Sequence, residues 1–397
     1  MTFRSMTETA ETETSFKRII AKIKGNTAGP NIVFFAGIHG NEGAGVQALK
    51  ETLVKINPEN VKGIIYGIAG NLKALNLKLR YIDSDLNRLW TVDNLNKISQ
   101  KKILNTEEKE LVELSNVLKE ILQSNPEPFY FIDLHTTSSK TLPFITINDS
   151  MINRKFSKKF PVPIVLGIEE YLNGPVLSYI NELGYVSLGF ESGQHNDPEA
   201  ITNAKAFINL TLVYSGCIKK KNIPNFDIYF RLLQSASRKI SDIFEVIFLH
   251  KIKPNETFKM LNGFTSFQKI TKGTKIAISN NTVIKSRFNA KIFMPLYQKI
   301  GQEGFFIIRR IQPFILRFST VLRKFKLDSL LVLLPGISWG NKEKHILTVN
   351  LKTARFFAKD IFHLFGYRNQ QIDDTHLKLY SRERTSKIEM YKNEKWY

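Results

Sequence analysis

Ile32-Val33-Phe34-Phe35-Ala36-Gly37-Ile38-His39-Gly40-Asn41-Glu42 is an apolar run that stops at a glycine and then sets an imidazole and a carboxylate three residues apart. Five apolar residues after Pro30, closed by Gly37 and Gly40, predict a buried strand ending in a tight turn. In α/β folds the carboxyl edge of such a strand borders the crevice where sites lie. Catalytic zinc takes three protein ligands, commonly His and Glu, and leaves a fourth position for water. His39 and Glu42 would supply two of them. Taken alone, the run reads equally well as a glycine-rich turn carrying a histidine and a solvated glutamate.

A third ligand is available at the end of a second apolar run. Phe129-Tyr130-Phe131-Ile132-Asp133-Leu134-His135 is entered through Pro126 and Pro128 and leaves through Thr136, Thr137 and Ser138. His135 would sit at the same edge as His39, with Asp133 two residues earlier on the same face, placed to orient the ring. A third run, Gly184 to Phe190, leads into Glu191-Ser192-Gly193-Gln194-His195. A carboxylate there can reach a water activated by a metal and act as its base. Between these, Arg80-Tyr81-Ile82-Asp83-Ser84-Asp85-Leu86-Asn87-Arg88 carries two arginines and an adjacent amide, groups that bind a carboxylate by parallel hydrogen bonds. By itself this run is also readable as a solvated loop whose arginines pair with Asp83 and Asp85.

Together the four segments resemble the aspartoacylase and succinylglutamate desuccinylase family, a branch of the zinc carboxypeptidase superfamily. The motifs are His-Gly-Asn-Glu at 39–42, the Arg80–Arg88 run, Asp-Leu-His at 133–135 and Glu191 before Ser-Gly-Gln, in the family's order. Met294-Pro295-Leu296-Tyr297 and Glu303-Gly304-Phe305-Phe306 look like the end of the family's C-terminal β domain, so the resemblance covers roughly residues 19 to 312. It implies that His39, Glu42 and His135 hold one zinc ion and that Glu191 is the general base. It further implies that Arg80 polarises the scissile carbonyl and that Asn87 and Arg88 hold the substrate's carboxylate. The implied reaction is hydrolysis of a small anionic N-acyl amino acid. The same zinc triad and carboxylate clamp would serve a carboxypeptidase-like peptidase, and a catalytically silent basic binding protein is a reading from another class.

Two departures bear on the substrate. In animal-type members an arginine about ten residues before the base helps bind a second carboxylate, and a gapless count places Asn181 there. No Lys or Arg occurs from Phe160 through Ala204, in a chain with 57 basic residues among 397. A substrate-contacting tyrosine of the animal enzymes also corresponds to Phe305-Phe306.

The order of elements predicts a layered α/β domain, and the resemblance implies its three-layer α/β/α, zinc-carboxypeptidase-like form with a mixed sheet, over residues 19–222. Helices are expected after the first strand (Ala44 to Leu53), over 106–123 with acidic residues in its first turn, and near 171–183 and 198–214; strands are expected at 63–69, 143–148 and 162–167. From about Ile243 short strands and turns at Asn262-Gly263, Lys272-Gly273 and Gly301 predict a small β barrel or sandwich, assigned to residues 223–312, and the resemblance implies that this domain overhangs the cleft. Residues 313–397 read as a basic, partly helical extension, with an amphipathic helix from Lys352 to Phe365 that would bury Phe356, Phe357, Ile361, Leu364 and Phe365 on the core or at a subunit interface.

Charge and cysteine content bound the rest. The net charge of +21 is spread along the chain without nucleic-acid-binding signatures, so no nucleic-acid partner is expected. Five charges between Leu316 and Leu334 exclude an ordinary membrane span there. Cys217 is the only cysteine, so no intramolecular disulfide can form and a zinc site has to use His and carboxylate. Residues 1–18 read as a polar tail whose Thr-Glu run at 7–14 is expected to be disordered, and no signal-peptide core precedes Phe16, which leads to a cytoplasmic assignment.

Overall fold

Eight strands of the computed structural model order the chain: β1 (Ile19–Lys24), β2 (Thr27–Ala36), β3 (Lys62–Ala69), β4 (Phe129–Thr137), β5 (Phe144–Ile147), β6 (Ile164–Leu166), β7 (Val186–Gln194) and β8 (Ile243–Lys251). The structure describes residues 16–126, 128–353, 359–371 and 375–397, so residues 1–15 of the predicted tail lie outside it, as do Phe356 and Phe357 of the predicted C-terminal helix. In space the strands run β1-β3-β2-β4-β7-β5-β6-β8, and the sheet continues through Glu303–Arg310, Ala290–Phe293 and Lys269–Ile270 to eleven strands. The centre, β3-β2-β4-β7, is parallel, whereas β1 and β5 run antiparallel to β3 and β7.

β2 and β4 read as continuous apolar runs because both of their faces are covered. Ile32, Phe34, Tyr130 and Ile132 face the helices Gly43–Leu53 and Pro198–Tyr214, in one core. Val33, Phe35, Phe129 and Phe131 face Leu111, Leu114 and Leu118 of Thr106–Ser124 and Val176 and Ile180 of Val176–Glu182, in a second. The period of two carries Asp133 and His135 onto this second face as β4 runs out. This is the three-layer mixed α/β arrangement expected from the element order and the resemblance.

Some boundaries differ for local reasons. The helix expected from 171 begins at Val176, because Gly174 adopts a positive φ and Pro175 serves as its N-cap. Thr106–Ser124 is capped by Asn105, whose side chain accepts from Glu108 N while Glu108 accepts from Asn105 N, a reciprocal pair of bonds. β2 starts at Thr27, upstream of Pro30, with a register shift between Thr27 and Asn31.

The strands expected from Ile243 onward divide between two sheets. β8 pairs in parallel with β6, covering an edge that would otherwise be open, and brings Glu303–Arg310 and Ala290–Phe293 into the main sheet. Phe258–Met260, Lys275–Ser279 and Thr282–Lys285 form a separate three-stranded sheet, packed on the first through Met260, Ile276, Ile292 and Ile307.

The C-terminal segment is more β-rich than expected. Ile337–Trp339, Ile346–Asn350, His376–Ser381 and Tyr367–Gln371 form a four-stranded antiparallel sheet around Leu347, Val349, Phe362 and Leu379; Lys359–Leu364 is helical, and residues 354–358 of the helix expected from Lys352 lie outside the described residues. The chain then returns to the main core. Tyr391 and Trp396 pack into it, the Tyr391 hydroxyl donating to Phe129 O and accepting from Val186 N at the starts of β4 and β7.

Candidate functional site

β2, β4 and β7 are parallel neighbours, so their carboxyl ends open on one side of the sheet. The turn after β2 is close-packed: a Cβ at Gly40 would fall 2.1 Å from the Ala74 carbonyl carbon, so only glycine lets this backbone pass. The turn sets His39 and Glu42 over the end of β4. Glu42 is buried and takes three partners: His39 Nδ1 at 2.8 Å, His135 Nδ1 at 2.9 Å and the Thr136 backbone N–H at 3.0 Å. One ligand atom from each of His39, Glu42 and His135 lies within 4.8 Å of the others, a spacing that could hold a metal ion.

The far side of each ring is also held by a carboxylate. Asp133 Oδ2 lies 2.6 Å from His135 Nε2, as the two-residue spacing suggested, and Asp85 Oδ1 lies 3.0 Å from His39 Nε2. Both rings are thereby oriented with Nδ1 toward Glu42, the arrangement that fixes the tautomer of a metal-binding histidine. Burial pushes the Glu42 carboxyl up, but the two imidazoles beside it outweigh that and hold it well below the usual carboxylate range. For His135 burial acts downward and the Asp133 and Glu42 carboxylates prevail, leaving it well above an ordinary histidine.

Glu191 lies on β7 directly beside His135 in the ladder. Its carboxyl is buried, and Oε2 has no hydrogen-bond partner. Burial pushes its pKa up to about 7. His195, next along the same segment, is 2.7 Å from Thr136 Oγ1 through Nδ1.

The Arg80–Arg88 loop is pinned by a residue that sequence reasoning took for a helix-terminus charge. Glu107 is buried and accepts from the backbone N–H groups of Ile82, Asp83 and Ser84 and from Asn71 Nδ2. Arg80 is thereby held over the site, its Nη2 donating to Asp85 at 2.9 Å and its Nη1 3.9 Å from Glu42. Asp85 thus serves both Arg80 and His39, so the pairing raised for the loop reading is real but lies inside the site. Asp83 instead caps Thr106–Ser124 by accepting from Thr106 N. Asn87 Oδ1 accepts from Val176 N at 3.0 Å, and Arg88 donates to Glu303 at 2.9 Å.

All seven sequence-predicted residues, His39, Glu42, Arg80, Asn87, Arg88, His135 and Glu191, line one cleft. Its remaining wall is largely apolar, with Ile147, Ile168, Leu172, Leu177, Leu296 and Phe306. Phe306 faces the cleft, whereas Phe305 stacks on His250 in the second β core. Asn181 is buried and does not line the cleft. The site partners that the sequence did not single out are Glu107 and Glu303. Asp85 was visible as an acid within the arginine run, but Glu303 meets Arg88 across 215 positions and left no local signal.

A mixed α/β sheet with a His-Glu-His cluster at the carboxyl edge of its parallel strands defines a class of candidate metal-binding α/β proteins. Residues 28–209 match the model of the Succinylglutamate desuccinylase/Aspartoacylase catalytic domain. This α/β part of the chain is similar to that catalytic domain. The fold is similar to a succinylglutamate desuccinylase/aspartoacylase from Rhodobacter sphaeroides, at 16% identity and a TM-score of 0.56, covering 73% of this chain and 88% of that one. It is also similar to the product-bound ectoine utilization protein EutE (DoeB) from Ruegeria pomeroyi, at 17% identity and a TM-score of 0.55 over 73% and 88% of the two chains. A third similar structure is an aspartoacylase family protein from Mesorhizobium loti, at 17% identity and a TM-score of 0.51, again over 73% and 88%. No curated protein matches the chain.

Proposed function

We propose that the protein is a zinc-dependent amidohydrolase that cleaves a small N-acyl amino acid into a carboxylic acid and a free amino acid. The observation that carries this reading is the convergence of His39, Glu42 and His135 in the cleft that also holds Glu191 and Arg80. Two imidazole nitrogens and a carboxylate, backed by Asp85 and Asp133, are a donor set that suits one zinc ion. A dication bound there supplies a Lewis acid and lowers the pKa of a water at its open position.

Glu191 takes the proton of the attacking water and passes it to the leaving nitrogen. Its buried carboxyl, with a pKa pushed up to about 7, suits a group that must accept and return a proton near neutrality. Arg80, fixed by Asp85, faces the carbonyl oxygen where negative charge develops. Arg88, supported by Asn87, binds the substrate's carboxylate in place of its contact with Glu303.

Arg80 and Arg88 are the only Lys or Arg side chains among the described cleft-lining residues, and Glu169 adds a carboxylate to the wall. This favours a substrate with a single carboxylate whose other substituent is apolar, over a dicarboxylate such as N-acetylaspartate. We place the reaction in the cytoplasm, on small metabolites that fit a cleft bounded on one side by Met294–Phe306. The experiment is to load the purified protein with zinc and measure amine release from N-acetyl, N-succinyl and N-formyl amino acids, acidic and apolar, beside short peptides. Apolar N-acyl amino acids should be the best substrates, with the Glu191→Ala protein inert. Equal activity in that variant overturns the mechanism, and faster peptide cleavage overturns the deacylase assignment.

A further inference from the structure

The helix Pro313–Lys324 packs Leu316 against the main core and leaves another row of apolar side chains outside. It buries Ser319 and Arg323, while Phe314 is 70% exposed, Phe318 54% and, just past its end, Phe325 65%. With Val321 these side chains fall at spacings of four, three and four residues, one continuous stripe on the helix surface. Leu330 and Leu333 follow in the next turns, so six of the seventeen exposed large apolar side chains among the described residues lie between Phe314 and Leu333. Scattered exposed apolar residues are ordinary, but a concentrated patch marks an interaction surface.

The orientation is enforced from the other side. Arg323 donates to Asp149 Oδ2, to Asp149 O and to the carbonyls of His363 and Leu364. Turning the phenylalanines inward would unpair a buried arginine, so the outward stripe is held in place by the polar face.

Along this segment the exposed charge has one sign. Arg317, Lys324 and Lys326 are exposed, and the only acidic residue from Ile311 to Pro335, Asp328, is buried under Arg384 and Tyr367. We propose that this face seats the protein on the surface of a bilayer containing anionic lipid. The phenylalanines enter the boundary between headgroups and acyl chains, and the basic rim meets lipid phosphates. A second copy is a poorer occupant, because it would set basic rim against basic rim in a chain of net charge +21. Among the described residues no helix is long and apolar enough to cross a membrane, so the contact is with the surface.

The test is flotation of the full chain with vesicles of phosphatidylcholine plus phosphatidylglycerol, and with phosphatidylcholine alone. The protein should float with the anionic vesicles, less so as salt rises, and stay behind with the neutral ones. Phe318→Ser with Phe325→Ser should weaken binding by about tenfold per side chain. Changing Arg317, Lys324 and Lys326 to Gln should cost about fivefold per charge. Thermal melting and zinc-loaded activity on soluble substrates should be unchanged in both variants. Failure to float with either vesicle, or anionic binding that ignores the phenylalanine changes, overturns the proposal. A concentration-dependent dimer that the double phenylalanine variant abolishes, without vesicle binding, assigns the face to a second copy instead.

Discussion

Two buried charge clusters in this molecule are assembled differently. Around Asp149, Arg154 donates through Nε and Nη2 to the two carboxylate oxygens, and Arg323 uses all three guanidinium nitrogens on Asp149, His363 O and Leu364 O. Around Glu42 the polar groups also crowd together, but Glu191 Oε2 and Asp133 Oδ1 are buried without a partner. A charge cluster that only holds structure closes its hydrogen bonds, because each open one costs free energy. Of these two clusters, the one at the cleft keeps open hydrogen-bonding capacity, which a ligand can complete.

Changing one residue at a time should separate the two clusters. Glu191→Ala should lower kcat by about 10²- to 10⁴-fold, the usual range for a lost general base, with bound zinc and melting temperature unchanged. In the parent, Glu191 has to be ionised to act, so kcat/KM should fall as the pH drops through its pKa. That pKa is about 7 without a metal, and a bound dication favours the carboxylate, so the acid limb should lie below 7.

In the closed cluster the opposite signature is expected. Arg323→Ala leaves Asp149 and Arg154 with fewer partners in the interior and should cost about 3–5 kcal/mol in chemical denaturation. If it reduces turnover while leaving stability intact, the contrast between the two clusters fails.

Smaller effects sharpen the distinction. Asp133→Asn should weaken zinc binding by about 10- to 100-fold in competition with a chelator, through loss of ring orientation at His135. Tyr391→Phe should cost about 1 kcal/mol of stability and leave metal affinity alone.

The site was legible because its residues stand in short runs at the ends of apolar strands. His39, His135 and Glu191 each follow such a run, and strand topology brings parallel neighbours to a common edge. Partner choice was less legible. Glu107 has the sequence context of an ordinary helix N-terminus, yet its carboxylate organises the backbone of a loop more than twenty residues away. Glu303 reaches Arg88 only because β8 extends the main sheet. The C-terminal sheet was hidden for another reason: its strands are short, and Trp339, Leu377 and Phe365 are only partly buried in its own small core. The burial of Arg323 and exposure of Phe318 reverse the usual preference, which a hydrophobic pattern cannot reveal.

The return of Tyr391 to Phe129 spans 262 positions. During synthesis the central strands emerge from the ribosome long before the side chain that ties their starting ends together. The main sheet can pair early, but its final closure has to wait until residue 391 has been made. Until then Phe129 O and Val186 N, at the starts of β4 and β7, lack the hydroxyl that joins them.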